Sequence, residues 1–449
     1  MKISLNRFDL FRFERLISKL VKQSELPQIV SFAPCSDGLQ LTAFCNGAVL
    51  TLTVPVSGNV ESFTLPWATV KEFASKRSDS LNLDVNGKDV TLSWNTNGIP
   101  QSKTVQSQRP TDKLLPPLPD KTTVHSTALF DALVDAGRCV EPNNRQYSLG
   151  GICFRGAKSQ IVSSDGKQAL FQDGFSFPFE SDVLCPVTKI FASKELRELG
   201  DTVKTGVTSD YVYFQIGVVD FWLKKIDGKF PTFDKFTDNI GGHTWLNLDP
   251  SDATFLAERL DTLPGKDGNH DPVFVKLNGG VAVRGFDTAK QTTTELRLAK
   301  SHYEGGSVLT PLNRNQLKTA LDFGIKRIGF DPNAESPFIG YGDRKTFIVM
   351  PLDAKEPEVE ASKVTVLASN NAKASVPPKV ERPAKSDKPR TRATGKPNKV
   401  AVLDDAMKLR NNLRETLGSV NDLIRSIKSQ RQKDRLLKST MNSLRKLSL

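Results

Sequence analysis

The chain has 449 residues, 38% hydrophobic and 25% charged, enough for two to four globular domains that each bury a core. No apolar run approaches the ~18 residues needed to cross a bilayer. Arg12, Glu14 and Arg15 break the first apolar stretch, so neither a signal peptide nor membrane attachment is expected. The net charge of +12 is unevenly placed: residues from Ala354 onward hold 22 basic and 10 acidic side chains, leaving 40 of each before them. The body is neutral and the tail carries the excess. The five cysteines (Cys35, Cys45, Cys139, Cys153, Cys185) are odd in number and lack CxxC spacing, which reads as reduced thiols in the cytoplasm. They and four scattered histidines predict no metal site and no cofactor.

In chain order, Arg7–Lys22 has the spacing of an amphipathic helix. Gln40–Phe44 and Ala48–Val54 read as strands, and Leu65-Pro66-Trp67 introduces a second helix, Val70–Lys76. Leu81–Val85, Asn86-Gly87 and Val90–Trp94 form a hairpin signature. After the proline-rich segment Gln106–Pro119 the order starts again. A helix is expected near Ala128–Val140, strands at Gly151–Phe154 and Gln160–Ser163, and a helix at Lys189–Lys194 after Leu184-Cys185-Pro186. Phe-Ala-Ser-Lys recurs there, and the strand Tyr211–Ile216 follows. Beyond Thr237–Gly242 come a helix at Asp252–Leu263, strands at Val273–Leu277 and Val281–Val283, and a helix at Asn315–Leu321 after Leu309-Thr310-Pro311. A pattern recurring about every 120 residues predicts three copies of one α+β unit, helices packed on antiparallel sheets, over residues 1–118, 119–241 and 242–353. Residues 354–399, rich in Pro, Ala, Ser and Lys, read as a disordered basic linker. Residues 400–449 read as an amphipathic basic helix or coiled coil, with Ala406, Leu413, Leu417, Val420, Ile424 and Ile427 as its seam.

Chemistry-bearing motifs are missing. There is no GK[ST] phosphate loop, GxSxG or HExxH. Asp267–Asp271 resembles the start of a calcium loop, but Pro272 and Asn278 occupy the glycine and glutamate positions, which predicts a solvated turn. Gln40–Phe44 has the alternation of a core strand. A chain of similar units without such motifs is expected to be a scaffold and not an enzyme.

The middle unit carries Arg138-Cys139-Val140, Arg145–Phe154, Ser164-Asp165-Gly166 and Ile226-Asp227-Gly228-Lys229-Phe230-Pro231 in that order. The last unit carries Leu312–Leu317 and ends in Phe347-Ile348-Val349-Met350-Pro351-Leu352. This series resembles the bacterial replicative sliding clamps, the beta subunits of the DNA polymerase holoenzyme, over about 350 residues; the first unit matches only in pattern. The resemblance implies a homodimeric ring of three-domain subunits around duplex DNA, with helices lining the bore. It implies DNA-facing Arg12, Arg15, Lys19, Lys22, Lys71, Lys76, Arg77, Arg138, Lys189, Lys194, Arg197, Arg314 and Lys318. It also implies a pocket for short hydrophobic peptides of polymerases and clamp loaders. By position its residues are Leu149, Ser164, Gly166, Lys167, Gln168, Ala169, Pro231, Lys235, Phe236, Asn313, Gln316, Ile348, Met350, Pro351 and Leu352. The chain departs from the family where Gln168-Ala169 replaces a usual Arg-Leu pair, Gln316 a common tyrosine, and Asp353 a frequent base.

The resemblance ends at Leu352. In the tail, Lys385, Lys388, Arg390, Arg392, Lys396 and Lys399 would contact DNA phosphates as a plain polycation, and residues 403–444 would bind a partner or self-associate. A solubilising extension is the alternative. For the whole chain, the reading is a processivity clamp at the nucleoid or replication site, of cellular or viral origin. The alternative is an architectural DNA-packaging protein with a clamp-like body as its dimerisation scaffold.

Overall fold

The computed structural model describes residues 2–56, 61–107, 114–141, 149–238, 243–266, 270–331 and 336–369. All belong to one compact unit, Met1–Ser375. The helix expected over 400–449 lies outside the described residues.

The elements come in three rounds. The first holds β1 (Lys2–Asn6), α1 (Arg7–Leu20), β2 (Ile29–Cys35), β3 (Gly38–Cys45) and β4 (Ala48–Val54). It closes with β5 (Phe63–Pro66), α2 (Trp67–Phe73), β6 (Ser80–Asn86), β7 (Asp89–Thr96) and β8 (Ile99–Gln106). The second holds β9 (Thr122–Ser126), α3 (Ala128–Gly137), β10 (Gly151–Arg155), β11 (Gln160–Ser164), β12 (Gln168–Gln172) and β13 (Asp182–Pro186). It continues through α4 (Lys194–Arg197), β14 (Thr202–Val207), β15 (Tyr211–Ile216), β16 (Val219–Lys224) and α5 (Lys235–Asp238). The third holds β17 (Thr244–Asn247), α6 (Pro250–Arg259), β18 (Pro272–Leu277), β19 (Val281–Asp287), β20 (Thr292–Leu298) and β21 (His302–Glu304). It ends with β22 (Val308–Asn313), α7 (Arg314–Asp322), β23 (Arg327–Phe330), β24 (Phe338–Gly342), β25 (Lys345–Val349) and β26 (Val364–Ala368).

The sheets repeat as the elements do. One set runs β1-β6-β7-β8, then β9-β14-β15-β16, then β17-β23-β24-β25; the other runs β5-β2-β3-β4, β13-β10-β11-β12 and β22-β18-β19-β20. Adjacent rounds are fused edge to edge. β4 pairs antiparallel with β16, Leu52 opposite Val219, and β12 pairs with β25, Ala169 opposite Ile348. The fold is α+β and antiparallel, apart from a parallel pair between β20 and β26. That pair corrects the expected linker: within 354–399, Val364–Ala368 is a strand, because its β-branched, apolar run suits a ladder.

Local chemistry accounts for the elements. The Asn6 side chain caps α1 by accepting from the Phe8 amide at 2.9 Å, and Asn313 does the same for α7 through Asn315 at 2.9 Å. Asp249 caps α6, with Pro250 in its first turn. Pro66, Pro186 and Pro311 end or nearly end β5, β13 and β22. Each of these strands lies at a sheet edge, where a missing N–H breaks no ladder. The Leu-Pro signal therefore marks the end of an edge strand before the helix. In the second round that helix is interrupted. Lys189–Ala192 is a 3-10 turn, and the fully buried Ser193 adopts an extended conformation before α4.

Helical apolar faces close the core. Leu10, Phe13, Leu16 and Ile17 of α1 join Phe130 and Leu133 of α3 over Leu50, Leu52, Phe214 and Phe221 of the fused sheet. Each such side chain, once removed from water, contributes ~1.5–3 kcal/mol. The third round has a core of its own from Leu256, Leu317 and Ala320 against Val273 and Leu296. The outer faces of the junctions are also apolar: Val49, Trp222 and Tyr213 sit opposite one another across three strands of the first. No disulfide joins any of the five cysteines; Cys35 is half-buried and the rest are buried. Burial pushes Cys153 up to about 12, and it raises Cys139 and Cys185 as well.

Candidate peptide cleft and nucleic-acid interface

A cleft of ≈ 520 Å³ opens where β25 ends, lined by Lys167, His270, Pro272, Asn313, Gln316, Met350, Pro351, Leu352, Asp353 and Ala354. Its rear wall is a strap pinned at both ends. The Met350 amide donates to the Lys167 carbonyl and the Leu352 amide to the Pro311 carbonyl, each at 2.9 Å. The turn bearing Lys167 is preset. Ser164 Oγ donates to the Gln168 carbonyl at 2.7 Å and accepts from the Gly166 amide at 3.0 Å. Gly166 has φ +90°, a backbone that favours glycine. Asp165 accepts from the amides of Lys167 and Gln168 at 2.8 and 2.9 Å. Met350 is 38% exposed, a large apolar side chain presented to solvent at the mouth. A more open depression of ≈ 370 Å³ between α6 and α7 is walled by Glu258, Lys318 and Asp322, with Leu321 as its one large apolar side chain.

The structure divides the fifteen expected pocket residues. Lys167, Asn313, Gln316, Met350, Pro351 and Leu352 line the cleft. Leu149, Ala169, Ile348 and Phe236 instead belong to the apolar layer on the outer face of the second junction. Ser164 and Gly166 shape the turn, and Gln168 directs its amide nitrogen to Asp165 at 3.0 Å. The Lys235 ammonium lies 4.9 Å from the centre of the Phe236 ring. Pro231 is half-buried on the same connection, which includes the Ile226–Pro231 string and covers the layer with Phe230, Phe233 and Phe236. Arg155 fastens this connection with two 2.8 Å bonds to Asp234, and that hydrogen-bonded guanidinium holds the Asp234 carboxyl far below its usual range. Sequence reasoning missed His270, Pro272 and Ala354. The first two follow from register: Pro272 pairs with Asn313, and His270 and Asp271, at φ +72° and +44°, turn the chain into the cleft mouth.

The expected DNA-facing cations also divide. Lys22, Lys71, Lys76, Arg77 and Lys189 are exposed, with no carboxylate in ion-pair range among the described residues. Lys76 also lies 5.9 Å from the Phe11 ring centre. Lys194 is 87% exposed and only loosely paired, 3.6 Å from Glu198. Others are engaged within the fold. Lys19 and Arg15 meet Glu195 at 2.5 and 3.5 Å, Arg138 meets Asp322 at 2.7 Å, and Arg197 meets Asp131 at 2.7 Å. Lys318 pairs with Asp261, and Arg12 lies 3.6 Å from Asp9. Partial burial would raise the Glu195 carboxyl, but Lys19, the backbone and Ser193 outweigh it and hold it at about 2. Arg314 corrects the sequence expectation outright. It is 1% exposed, and its guanidinium donates to the Leu263 and Pro264 carbonyls at 2.7 and 2.5 Å. Carbonyls left over at a helix end need donors, and a charge at this position is drawn inward to supply them. The tail cations Lys385, Lys388, Arg390, Arg392, Lys396 and Lys399 lie outside the described residues.

This architecture is found in solved bacterial clamps. The DNA polymerase III subunit beta of Pseudomonas aeruginosa matches with a TM-score of 0.65 at 16% identity, covering 78% of this chain and 100% of its own. A putative DNA polymerase III beta subunit of Eubacterium rectale matches with a TM-score of 0.66 at 13% identity, covering 79% and 100%. The beta subunit of Thermotoga maritima matches with a TM-score of 0.63 at 15% identity, again covering 79% and 100%. No protein-family model and no curated protein matches the sequence. The chain therefore has the sliding-clamp fold, with a further segment beyond it.

Proposed function

We propose that the protein is a DNA sliding clamp: a homodimeric ring, three clamp domains per subunit (residues 1–118, 119–241 and 242–353), that encircles duplex DNA and keeps a replicative polymerase on it. One observation carries this reading. Both fused junctions join the last strand of one round's second sheet to the last strand of the next round's first sheet. By the same rule, β20 of one copy pairs with β8 of another, and two such contacts close a ring. A ring holds DNA by topology, so weak phosphate contacts from Lys22, Lys71, Lys76, Arg77, Lys189 and Lys194 suffice without base readout. The protein is a processivity factor and not an enzyme. It acts in the cytoplasm, at the nucleoid or replication site, with tail cations adding attraction.

The cleft suits a short hydrophobic peptide from a polymerase or clamp loader. Met350, Pro351 and Leu352 offer apolar anchors, and Lys167, Asn313 and Gln316 offer polar contacts. Met350→Ala is expected to weaken such a peptide by about 1 kcal/mol, roughly fivefold. Unchanged anisotropy titrations would remove the cleft from this role. The decisive experiment loads the full chain onto DNA with an ATP-driven loader. Retention on circular DNA and loss from linear ends is the expected result. Equal retention on both forms points to an architectural packaging protein and ends the clamp reading.

A further inference from the structure

The rule that joins the rounds leaves β8 and β20 as the two terminal edges, yet only β8 is open among the described residues. β26 lies on β20 in parallel, Thr293 opposite Val364 through Arg297 opposite Ala368. Those five pairs match the length of the β4–β16 and β12–β25 ladders. We propose that β26 is a built-in competitor strand: it occupies the edge that β8 of a second copy needs, so dimer closure requires its release. The inference rests on the ring reading above and adds a control to it.

How β26 is held supports exchange over permanent attachment. At the internal junctions the joining strands are anchored by buried side chains: Phe221, Trp222 and Leu223 on β16, and Phe347, Ile348 and Val349 on β25. In β26, Thr365, Val366 and Leu367 are all exposed, the latter two by 44% and 41%. Backbone pairing does most of the holding, so another strand that offers the same ladder can exchange with it. Two polar clips assist. Arg284 Nη1 donates to Glu356 at 2.9 Å, and the Ala299 amide donates to Ser369 Oγ at 3.0 Å. The cover is also imperfect, for the Thr293 hydroxyl opposite Val364 is buried with no hydrogen-bond partner among the described residues. An uncovered edge strand invites indiscriminate pairing, so a weak intramolecular cover protects the free subunit until its partner arrives.

The test is the monomer–dimer equilibrium of the full chain by sedimentation over a concentration series. Val366→Pro, made together with Thr365→Pro so that one of the two adjacent amides removed faces β20, opens β26. Closing the ring needs β26 released in both subunits, so a cover in place nine-tenths of the time lowers apparent dimer affinity about a hundredfold, and opening it should tighten the dimer on that order. Glu356→Gln loosens one clip, leaves the Arg284–Glu295 pair intact, and should tighten it less. Adding Thr104→Pro in β8 to the Thr365→Pro, Val366→Pro chain should abolish the dimer. An unchanged or weaker dimer in the doubly substituted chain overturns the competitor strand alone and leaves the ring standing. A dimer that survives Thr104→Pro overturns the proposed edge. No dimer in any variant overturns both this inference and the ring.

Discussion

α1 and α7 each begin with an arginine, and the two helices treat their cations differently. Arg7 is half-buried and donates through Nε to the Phe73 carbonyl at the end of α2, at 2.9 Å. Arg314 is buried and ties the start of α7 to the chain leaving α6 through two carbonyls. Both are clasps between the helices of one round. Around Arg7, however, Lys22, Lys71, Lys76 and Arg77 remain exposed, whereas around Arg314 the nearby Lys318 is matched by Asp261. On its surface α6 offers Glu258 beside Arg259, one charge of each sign, while α1 carries four cations against two carboxylates. Copies of one unit have thus kept the clasp and diverged in surface charge. Of the expected DNA-facing cations, those left exposed without an ion pair concentrate in the first round.

The largest expected effect tests that contrast directly. Replacing Lys22, Lys71, Lys76 and Arg77 with glutamine should lower the slope of DNA affinity against salt by about 4, one per lost phosphate contact, and weaken binding on the order of a hundredfold. Replacing Arg138 and Lys318 should leave the slope unchanged. Equal losses would abolish the distinction. Next comes stability. Arg314→Met strands two buried carbonyls and should cost about 2–4 kcal/mol in denaturant unfolding, while Arg7→Met, with one bond at a wetter site, should cost about 1 kcal/mol. A reversal of that order would show that the clasp is no tighter in the third round.

The smallest effect concerns acid. Glu195 titrates at about 2 in the folded chain against an ordinary 4.5. Its depressed carboxyl stabilises the fold fully above 4.5, and the contribution disappears as pH falls toward 2. Lys19→Met should flatten the acid-unfolding profile in that window. Lys318→Met should flatten it less, since the Asp261 carboxyl, lowered first by its bond to Lys318, is solvent-screened. Identical profiles for the two variants would mean that the pairs are equivalent.

Much of the fold was legible because it depends on short-range chemistry. Alternation placed β4 and β15 to the residue, and the thrice-used proline announced the openings of α2 and α7. The Asn86-Gly87 signal found its hairpin, although Asn86 pairs with Asp89 and the loop is Gly87-Lys88. The second-round helix, expected unbroken over Lys189–Lys194, is split because burial of Ser193, a tertiary fact, interrupts it. Arg314 was misplaced for a related reason: a sequence records a charge but not which carbonyls surround it. The cleft was half legible, since the resemblance supplied Met350–Leu352, while His270 and Pro272 enter only through the pairing of β18 with β22. β26 was hidden by averaging. Val-Thr-Val-Leu-Ala reads as a strand alone, and dissolves within a long stretch of Pro, Ser and Lys.

The thiols give the molecule an unplanned convenience. A maleimide reacts with thiolate, and burial keeps Cys139, Cys153 and Cys185 protonated far above neutral pH. Cys45 is also buried, which leaves half-buried Cys35, the last residue of β2, as the most accessible sulfur. One fluorophore coupled to the native chain should therefore report from a single known position in the first round, with no cysteine removed or added.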